Sequence, residues 1–372
     1  MVIAFVLLLL LVIIYTVFAV YIERKVSAFA QDRLGPMEVG KFGILQTVAD
    51  LLKLIQKEDI IPKTADKFLF LVAPVIIFTA VFSGFAVIPL TSGIIGSIAS
   101  VGVFYLLAII SLDVLGILMA GWGSNNKYTI YGAMRAVSQI VSYEVPLGIS
   151  VLCAVVICQT LNLQEISFQQ GIWIQQYQTE TINYSNELNY LFGIKKLGIE
   201  VTDIGGFLTW NVVRMPLLFF VFIIFFISSL AEANRTPFDL PEAESELIGG
   251  FHTEYTGFRW SMVMLAEYAM MLLVSFVAAI LFFGGWNTPF PNIGSLRLAE
   301  WTSGLPGTVM GNIWGIFWIL LKVFALILVQ MWIRWTYPRL RVDQLMSLCW
   351  KYLTPISLVL LFICAIWRLL MI

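Results

Sequence analysis

A run of carboxylates between positions 231 and 255 is the feature of this chain that most directly indicates chemistry. Six acids face one arginine, one histidine and no lysine in this run. The six acids are Glu232, Asp239, Glu242, Glu244, Glu246 and Glu254. Two carboxylates about 6.5 Å apart repel by about 0.6 kcal/mol in water, but by about 2.5 kcal/mol at an effective dielectric of about 20. Apolar runs flank the segment on both sides, so we expect partial shielding from water and proton exchange near neutral pH.

The composition indicates an integral membrane protein. Apolar residues make up 60% of the chain and charged residues 12%, whereas soluble domains carry about 25% charged residues. The 22 basic and 23 acidic residues nearly cancel, which argues against nucleic acid as a partner. The first 22 residues are uncharged and lack a small-residue cleavage site, so we expect a retained first helix and no signal peptide.

Apolar segments of about twenty residues are long enough to cross a membrane. Eight segments qualify: 2–22, 68–89, 98–119, 137–158, 210–231, 261–283, 312–332 and 352–370. We therefore predict one all-α, polytopic membrane domain over residues 1–372, with about eight transmembrane helices.

Basic residues are distributed unevenly between alternate connections. The connections 23–67, 121–136, 232–260 and 333–351 hold sixteen Lys and Arg residues, and the other side holds five. This asymmetry predicts that the acidic loop 232–260 faces the cytoplasm or matrix and that both termini face the outer compartment. The polar stretch 159–209 is then an outer loop, and it shows no catalytic pattern.

The first inner connection, 23–67, contains an amphipathic segment about fifteen residues long. Its apolar residues are Ile44, Leu45, Val48, Leu51, Leu52 and Ile55. It is too short and too polar to span, so we predict a helix that lies at the membrane interface after the first span. A simple surface anchor without chemistry would show the same spacing.

Ionisable residues inside the predicted spans indicate a pathway, because a charge in hydrocarbon is costly. These residues are Asp113, Glu144, Glu267 and Lys322, with Glu232 at the inner end of the fifth span. The alternative for each of them is a structural hydrogen bond between helices.

Metal and redox centres are not expected on this chain. His252 is the only histidine, and the four cysteines show no CxxC spacing, so neither a bis-histidine haem nor an iron–sulfur cluster is predicted. We interpret the cysteines as buried spectators. If electrons move, their carriers belong to another subunit.

Several segments together resemble one family, the H-type membrane subunit (also called subunit 1) of proton-pumping NADH:quinone oxidoreductase, or respiratory complex I. They are ERKVSAFAQDRLGP, GILQTVADLLKL, RAVSQIVSYEV, AEANRTPFDLPEAESELIGGFHTEY, LAEY and WIRWTYPRLRVDQLM. The segments occur in order along the chain, and NRTPFDLPEAESEL is the most specific of them. The outer stretches 159–209 and 285–311 are longer than in compact members of the family.

The resemblance implies a position where the membrane arm of the complex meets its hydrophilic arm. There the first, interfacial and sixth helices would enclose a tunnel for quinone, the substrate. NADH, FMN and iron–sulfur clusters would lie on hydrophilic-arm partners, and small membrane subunits and antiporter-like subunits would be further partners. The setting would be an energy-coupling membrane such as the bacterial inner membrane, with no catalytic residue and no metal on this chain.

The resemblance also implies roles for individual residues. Arg24, Arg33 and Asp50 would line or support the quinone tunnel. The proton path would comprise Glu144, Glu232, Glu242, Glu244, Glu246, Glu254 and Glu267. Arg235 and Arg334 would be supporting charges.

Three alternatives remain open. The chain could be the cognate subunit of a membrane-bound hydrogenase or ferredoxin-linked complex. It could be a stand-alone proton- or cation-coupled secondary transporter, although no inverted repeat is visible. It could also be a structural membrane anchor, which would leave the intramembrane acids without a reason.

Overall fold

The computed structural model describes residues 2–97, 99–174, 189–194, 198, 200–241, 247–293 and 296–371. Within these residues the fold is helical, and the only β-type pairings are isolated bridges such as that between Pro89 and Ile95. The helices of nine or more residues are α1 (Val2–Ala30), α2 (Gln46–Gln56), α3 (Lys67–Gly84), α4 (Gly102–Ile110), α5 (Leu112–Gly123), α6 (Lys127–Cys158), α7 (Pro216–Glu232), α8 (Gly257–Phe282), α9 (Val309–Thr336) and α10 (Thr354–Met371).

Shorter helical turns fill the connections. The α-helical ones are Leu163–Phe168, Val201–Ile204, Asn211–Arg214, Leu298–Ser303 and Val342–Ser347. The 3-10 turns are Lys41–Gly43, Phe85–Val87, Leu191–Gly193, Gly206–Thr209 and Gly250–His252. A π-helical turn, Leu348–Leu353, leads into α10.

Side-chain caps mark where several long helices begin. Asp66 accepts hydrogen bonds from the amides of Phe68 and Leu69 at the start of α3, and Asn126 accepts one from Tyr128 at the start of α6. Such caps satisfy amides that have no partner within the helix. The caps fix the residues at which these helices begin, which their apolar composition alone does not determine.

The predicted polytopic, all-α fold is confirmed. Among the described residues, six segments are long and apolar enough to cross a membrane: Lys67–Val87, Gly102–Gly123, Lys127–Cys158, Gly257–Phe282, Val309–Thr336 and Val342–Leu370. The first predicted span corresponds to the 29-residue α1, and the fifth to the 17-residue α7. A break at Met215, followed by Pro216, separates α7 from the short helix Asn211–Arg214, because proline favours the first position of a helix. The count of eight spans stays a prediction.

Helix α8 forms the centre of the bundle. In its most apolar stretch 89% of the residues are buried, and it packs against α1, α2, α3, α7 and α9. A helix that is apolar on all sides and surrounded by other helices belongs to the interior. Glu267 and Tyr268, on the inner half of α8, are partly buried.

Two ends of the bundle can be distinguished by their contacts. At one end, which we call the inner end, the amide of Asp66 donates to Gly123 O, Arg259 pairs with Asp59, and the amide of Leu340 donates to Pro237 O. All four basic connections meet there. At the opposite, outer end, Asn287 donates to Ser167 O at 2.7 Å. This grouping agrees with the predicted alternation of loops, while the assignment of the inner end to the cytoplasm or matrix stays a prediction.

The amphipathic segment of the first connection forms α2, which packs against α1 and α8. All six apolar residues that defined it are exposed on this chain, from 39% at Val48 to 55% at Ile55. An exposed apolar face on a short helix fits the membrane interface.

Candidate functional site

A buried ionic cluster lies at the inner end, centred on Glu23 of α1. Glu23 is 5% exposed. Its carboxylate pairs with Arg334 of α9, lies 3.5 Å from the guanidinium of Arg235, and accepts a 2.7 Å hydrogen bond from the Tyr268 hydroxyl. The Arg235 guanidinium also stacks over the Tyr268 ring, 4.2 Å from its centroid. Four separate parts of the chain thus meet at one carboxylate.

The charges of these three ionic groups do not cancel. One carboxylate faces two guanidinium groups, so Glu23, Arg235 and Arg334 together carry a formal charge of +1. Taking such groups out of water is costly and is offset only by close pairing and further hydrogen bonds. The Tyr268 hydroxyl supplies one such hydrogen bond to Glu23. Two guanidinium groups and one hydroxyl thus stabilise the buried Glu23 carboxylate.

A second group of acids surrounds Glu232, which is 3% exposed at the inner end of α7. Asp113, Glu232 and Glu267 line one small cavity together with Asn234. Glu144 of α6 and Asp113 both lie close enough to Glu232 to repel its charge. The cavity volume of about 10 Å³ is near the smallest that holds one water. Four acids from four different helices are therefore brought together.

Gln139 of α6 positions the segment that follows Glu232. Its amide nitrogen donates to Ala231 O and Phe238 O at 2.8 Å and to Asn234 Oδ1 at 3.2 Å. Gln139 is 1% exposed, and buried amide donors are normally satisfied in this way. This clamp fixes the inner end of α7, so Glu232 has a defined position relative to Glu144 on the same helix as Gln139.

The predicted tunnel residues are only partly brought together. Arg24 of α1 and Asp50 of α2 form an ion pair at 2.6 Å, and Gln46 also donates to Asp50 at 3.1 Å. This pair joins the first helix to the amphipathic helix. Arg33 is exposed and donates to Gln31 at 2.7 Å, so the structure does not join it to Arg24 or Asp50. Neither α1 nor α2 contributes a residue to the small cavity around Glu232.

The end of the acidic run is tied to the connection 121–136 and to the start of α3. Glu254 accepts a 2.6 Å hydrogen bond from Asn126, at the start of α6. Tyr255 stacks on Phe70, with ring centroids 4.2 Å apart, and donates to Phe70 O at 3.2 Å. Burial raises the pKa of the Tyr255 hydroxyl, so it stays protonated as a hydrogen-bond donor. Glu254 therefore occupies a fixed site at the inner end.

Part of the predicted proton path lies outside the described residues. These predicted members are Glu242, Glu244 and Glu246. Asp239, just before them, is buried and accepts a 3.0 Å hydrogen bond from Arg339, which anchors the loop on that side. The placement of the three glutamates relative to Glu232 stays a prediction.

Two residues of the ionic cluster were missed by reasoning from the sequence. In the sequence, Glu23 stands out only as part of the segment ERKVSAFAQDRLGP, and Tyr268 only as the last residue of LAEY. The position of Glu23 on the last apolar turn of the first span was a usable signal. Its partner Arg334 lies 311 positions away, and no local pattern links the two. Asp113, by contrast, was noted as an intramembrane acid and belongs to the cavity around Glu232.

Metal ligation is not indicated by the described part of the chain, where no group of three or more His, Cys, Asp or Glu residues is placed to hold a metal ion.

Known proteins match this chain over most of its length. Residues 3–365 match the family model described as NADH dehydrogenase. The chain is 60% identical to the NADH-quinone oxidoreductase H subunit 2 of Cytophaga hutchinsonii, with 96% of each chain covered. It is 51% identical to the H subunit of Chlorobaculum parvum, covering 94% of this chain and 87% of that one, and 42% identical to the H subunit of Brevibacillus brevis, covering 96% and 90%.

These matches extend over nearly the whole chain and include every helix that carries the clusters around Glu23 and Glu232. The chain therefore belongs to the H-subunit family of NADH-quinone oxidoreductases.

Proposed function

We propose that this chain binds quinone at the inner end of its bundle and couples quinone reduction to proton translocation within a complex I type NADH-quinone oxidoreductase. The names of its relatives support membership of a multi-subunit complex. The observation that carries the coupling proposal is the convergence of Asp113, Glu144 and Glu267 on the buried Glu232. Acids placed this closely in a low-dielectric interior influence one another's protonation.

The quinone side of the proposal rests on three helices. The first, amphipathic and central helices, α1, α2 and α8, all pack against one another, as expected for the walls of a tunnel. The exposed apolar face of α2 would accept an isoprenoid tail, and the Arg24–Asp50 pair would lie at the junction of two of the walls. The two guanidinium groups of the cluster around Glu23 would attract the quinone head group as it gains negative charge.

Reduction of quinone is the event that drives proton movement in this proposal. A quinone that takes two electrons and two protons becomes a quinol, and the electrons must come from an iron–sulfur cluster of a partner subunit. Electrons that arrive before protons place negative charge beside Arg235 and Arg334. Because the cluster is buried, this change in field acts strongly on nearby acids.

The acids around Glu232 would transmit this change. Arg235 follows Glu232 by three residues, so the ionic cluster and the acidic cavity are connected through one short segment. Protons taken up at the inner end through the acidic loop would pass among Glu232, Glu267 and Glu144. They would then leave sideways toward small membrane subunits and antiporter-like subunits, and NADH, FMN and iron–sulfur clusters would remain on the hydrophilic-arm partners.

Replacement of single acids by their amides tests the coupling. We expect Glu232→Gln and Glu144→Gln to lower NADH-driven proton pumping and quinone reduction by about tenfold or more, the effect of about 1.4 kcal/mol on a rate-limiting step. The complex is reconstituted in liposomes, and NADH oxidation and acidification are followed together. Glu300→Gln, at an outer surface where Glu300 pairs with the exposed Arg297, is the matched control.

Assembly must be measured in the same preparations. We expect flavin and iron–sulfur content equal to the wild type in both variants, because an amide keeps the shape of the carboxyl group. Wild-type turnover and pumping in both variants would remove the case for a proton path through Glu232.

A further inference from the structure

Buried cations lie at the outer end of the bundle. Among the described residues these cations are Arg214, Lys322 and Arg368, which are 0%, 7% and 4% exposed. We call these three residues the outer cation layer. The acids Glu232, Asp113 and Glu267 lie toward the inner end. Acidic groups therefore lie toward the inner end of the interior, and the outer cation layer lies at the outer end.

The closest contacts of the Lys322 side chain, on α9, are backbone carbonyl groups. Its ammonium donates to Phe283 O at 2.7 Å, Gly285 O at 2.9 Å and Asn287 O at 2.6 Å, and lies 4.5 Å from the Trp210 ring centroid. Three donors meet three acceptors, which satisfies a lysine fully. Phe283 caps α8, and Gly285 and Asn287 follow it, so the side chain lies at the C-terminal end of this helix, where the helix dipole favours a cation. The side-chain nitrogen of Lys322 is therefore held at this depth.

Arg214 and Arg368 extend the layer across the bundle. Arg214 donates to Gln169 O at 3.1 Å and to Asn211 Oδ1 at 2.9 Å. Asn211 in turn donates to Leu281 O at 2.8 Å, and Leu281 is two residues before Phe283, whose carbonyl accepts from Lys322. Arg214 and Arg368 both act electrostatically on Cys158, at the outer end of α6. The three cations thus lie over the outer ends of α6, α7 and α8.

An apolar cavity separates Glu232 from this layer. Glu232 lies at one end, and the other lining residues are apolar: Val103, Leu106, Leu107, Ile110, Leu147, Val151, Leu163, Phe225, Val274, Val277 and Leu281. The lining reaches Leu281, whose carbonyl belongs to the hydrogen-bond network of Arg214. Apolar cavities of this kind stay dry, although a brief entry of water would connect Glu232 to the outer end.

We infer that the outer cation layer is an electrostatic seal that prevents protons on the Glu232 cluster from escaping to the outer compartment through this chain. Fixed positive charge raises the energy of an excess proton beside it, as arginine and helix dipoles do in water channels. A proton that has reached Glu232 then has only the lateral route. The inference rests on the proposed function only in taking Glu232 as a proton-carrying site.

Passive proton leak tests the seal without turnover. The whole complex is reconstituted in liposomes with a quinone-site inhibitor and without NADH, the membrane potential is clamped with potassium and valinomycin, and decay of an imposed pH gradient is followed with an entrapped dye. Lys322→Met keeps most of the side-chain volume and removes the charge. We expect its gradient to decay about tenfold faster than in the wild type, which corresponds to a barrier lower by about 1.4 kcal/mol.

Two controls separate charge from packing. Thr209→Val removes hydrogen bonds to Gln170 O and Gly206 O in the same buried region without changing charge, and Arg297→Gln removes an exposed outer cation. Both should hold the gradient as the wild type does. Arg368→Gln provides a second test of the layer and decides the question if Lys322→Met does not assemble.

The seal is overturned if Lys322→Met or Arg368→Gln complexes hold the gradient as long as the wild type, or if Thr209→Val leaks as fast as they do. A leak through the inhibited wild-type complex would also overturn it. Because the assay involves no electron transfer, its result is independent of whether Glu232→Gln abolishes pumping.

Discussion

At the scale of single residues, Glu23 is the most highly connected side chain of the site. It pairs with Arg334, lies 3.5 Å from Arg235 and accepts a hydrogen bond from Tyr268. Removal of one member of a buried ion pair is costly, because the remaining charge stays buried. A single change at position 23 should therefore affect both the stability of the inner end and the field at the proposed quinone site.

We predict that Glu23→Gln destabilises the inner end by about 3–5 kcal/mol. Tyr268→Phe loses one hydrogen bond to a charged group and should cost less, about 1.5–3 kcal/mol. Thermal unfolding of the purified complex, monitored by the release of this subunit, measures the loss of stability in both variants. Equal melting temperatures for the two variants would show that the ion pairs at Glu23 contribute nothing beyond the hydrogen bond.

At the scale of helices, α2 depends on few contacts with the rest of the chain. The Arg24–Asp50 pair ties it to α1, but the side chains are 45% and 35% exposed, so the pair contributes at most about 1 kcal/mol to stability. We expect the pair instead to orient α2, because it fixes the angle at which the apolar face of this helix meets the membrane. We therefore expect loss of the Arg24–Asp50 pair to change function without changing stability.

Replacement of Arg24 by alanine should accordingly leave the melting temperature of the complex unchanged and raise the KM for quinone. The Asp50→Ala variant and the double variant should behave alike, because either change breaks the same pair. Lys53→Ala, on the same helix, is the control. An unchanged KM in the two single variants and the double variant would remove α2 from the quinone tunnel.

The helices themselves were largely predictable, and the site was not. Apolar length placed segments such as 68–89 and 261–283 correctly, because the hydrophobic effect acts on local composition. The cluster at Glu23 depends on residues from α1, α8 and α9 and the segment after α7. Contacts between distant positions follow from helix packing, which composition does not encode. For the same reason the intramembrane acids were recognised individually, while their convergence on Glu232 required the structure.

At the scale of the whole molecule, the kind of buried ionisable group changes from one end of the bundle to the other. Carboxylates converge on Glu232, the mixed cluster of Glu23 lies at the inner end, and cations close the outer end. Under the proposed function, this arrangement would let protons enter from one side and leave laterally. The direction of that flow depends on which compartment the inner end faces, which the excess of basic residues in four connections predicts.

Accessibility of single cysteines measures this orientation. In a background where the four native cysteines are replaced by serine or alanine, Arg297→Cys should react with an impermeant maleimide added outside right-side-out vesicles. Lys63→Cys should react only after the vesicles are permeabilised. Reaction of Lys63→Cys from outside would reverse the predicted orientation.

The central claim, that reduction of quinone changes the protonation of the Glu232 cluster, is tested most directly by redox-induced infrared difference spectroscopy of the complex. The wild type should show a change in the carboxylic acid C=O stretch when quinone is reduced, and Glu232→Gln should lose part of that band together with pumping. A difference spectrum identical in the wild type and Glu232→Gln, with pumping intact, would contradict the account.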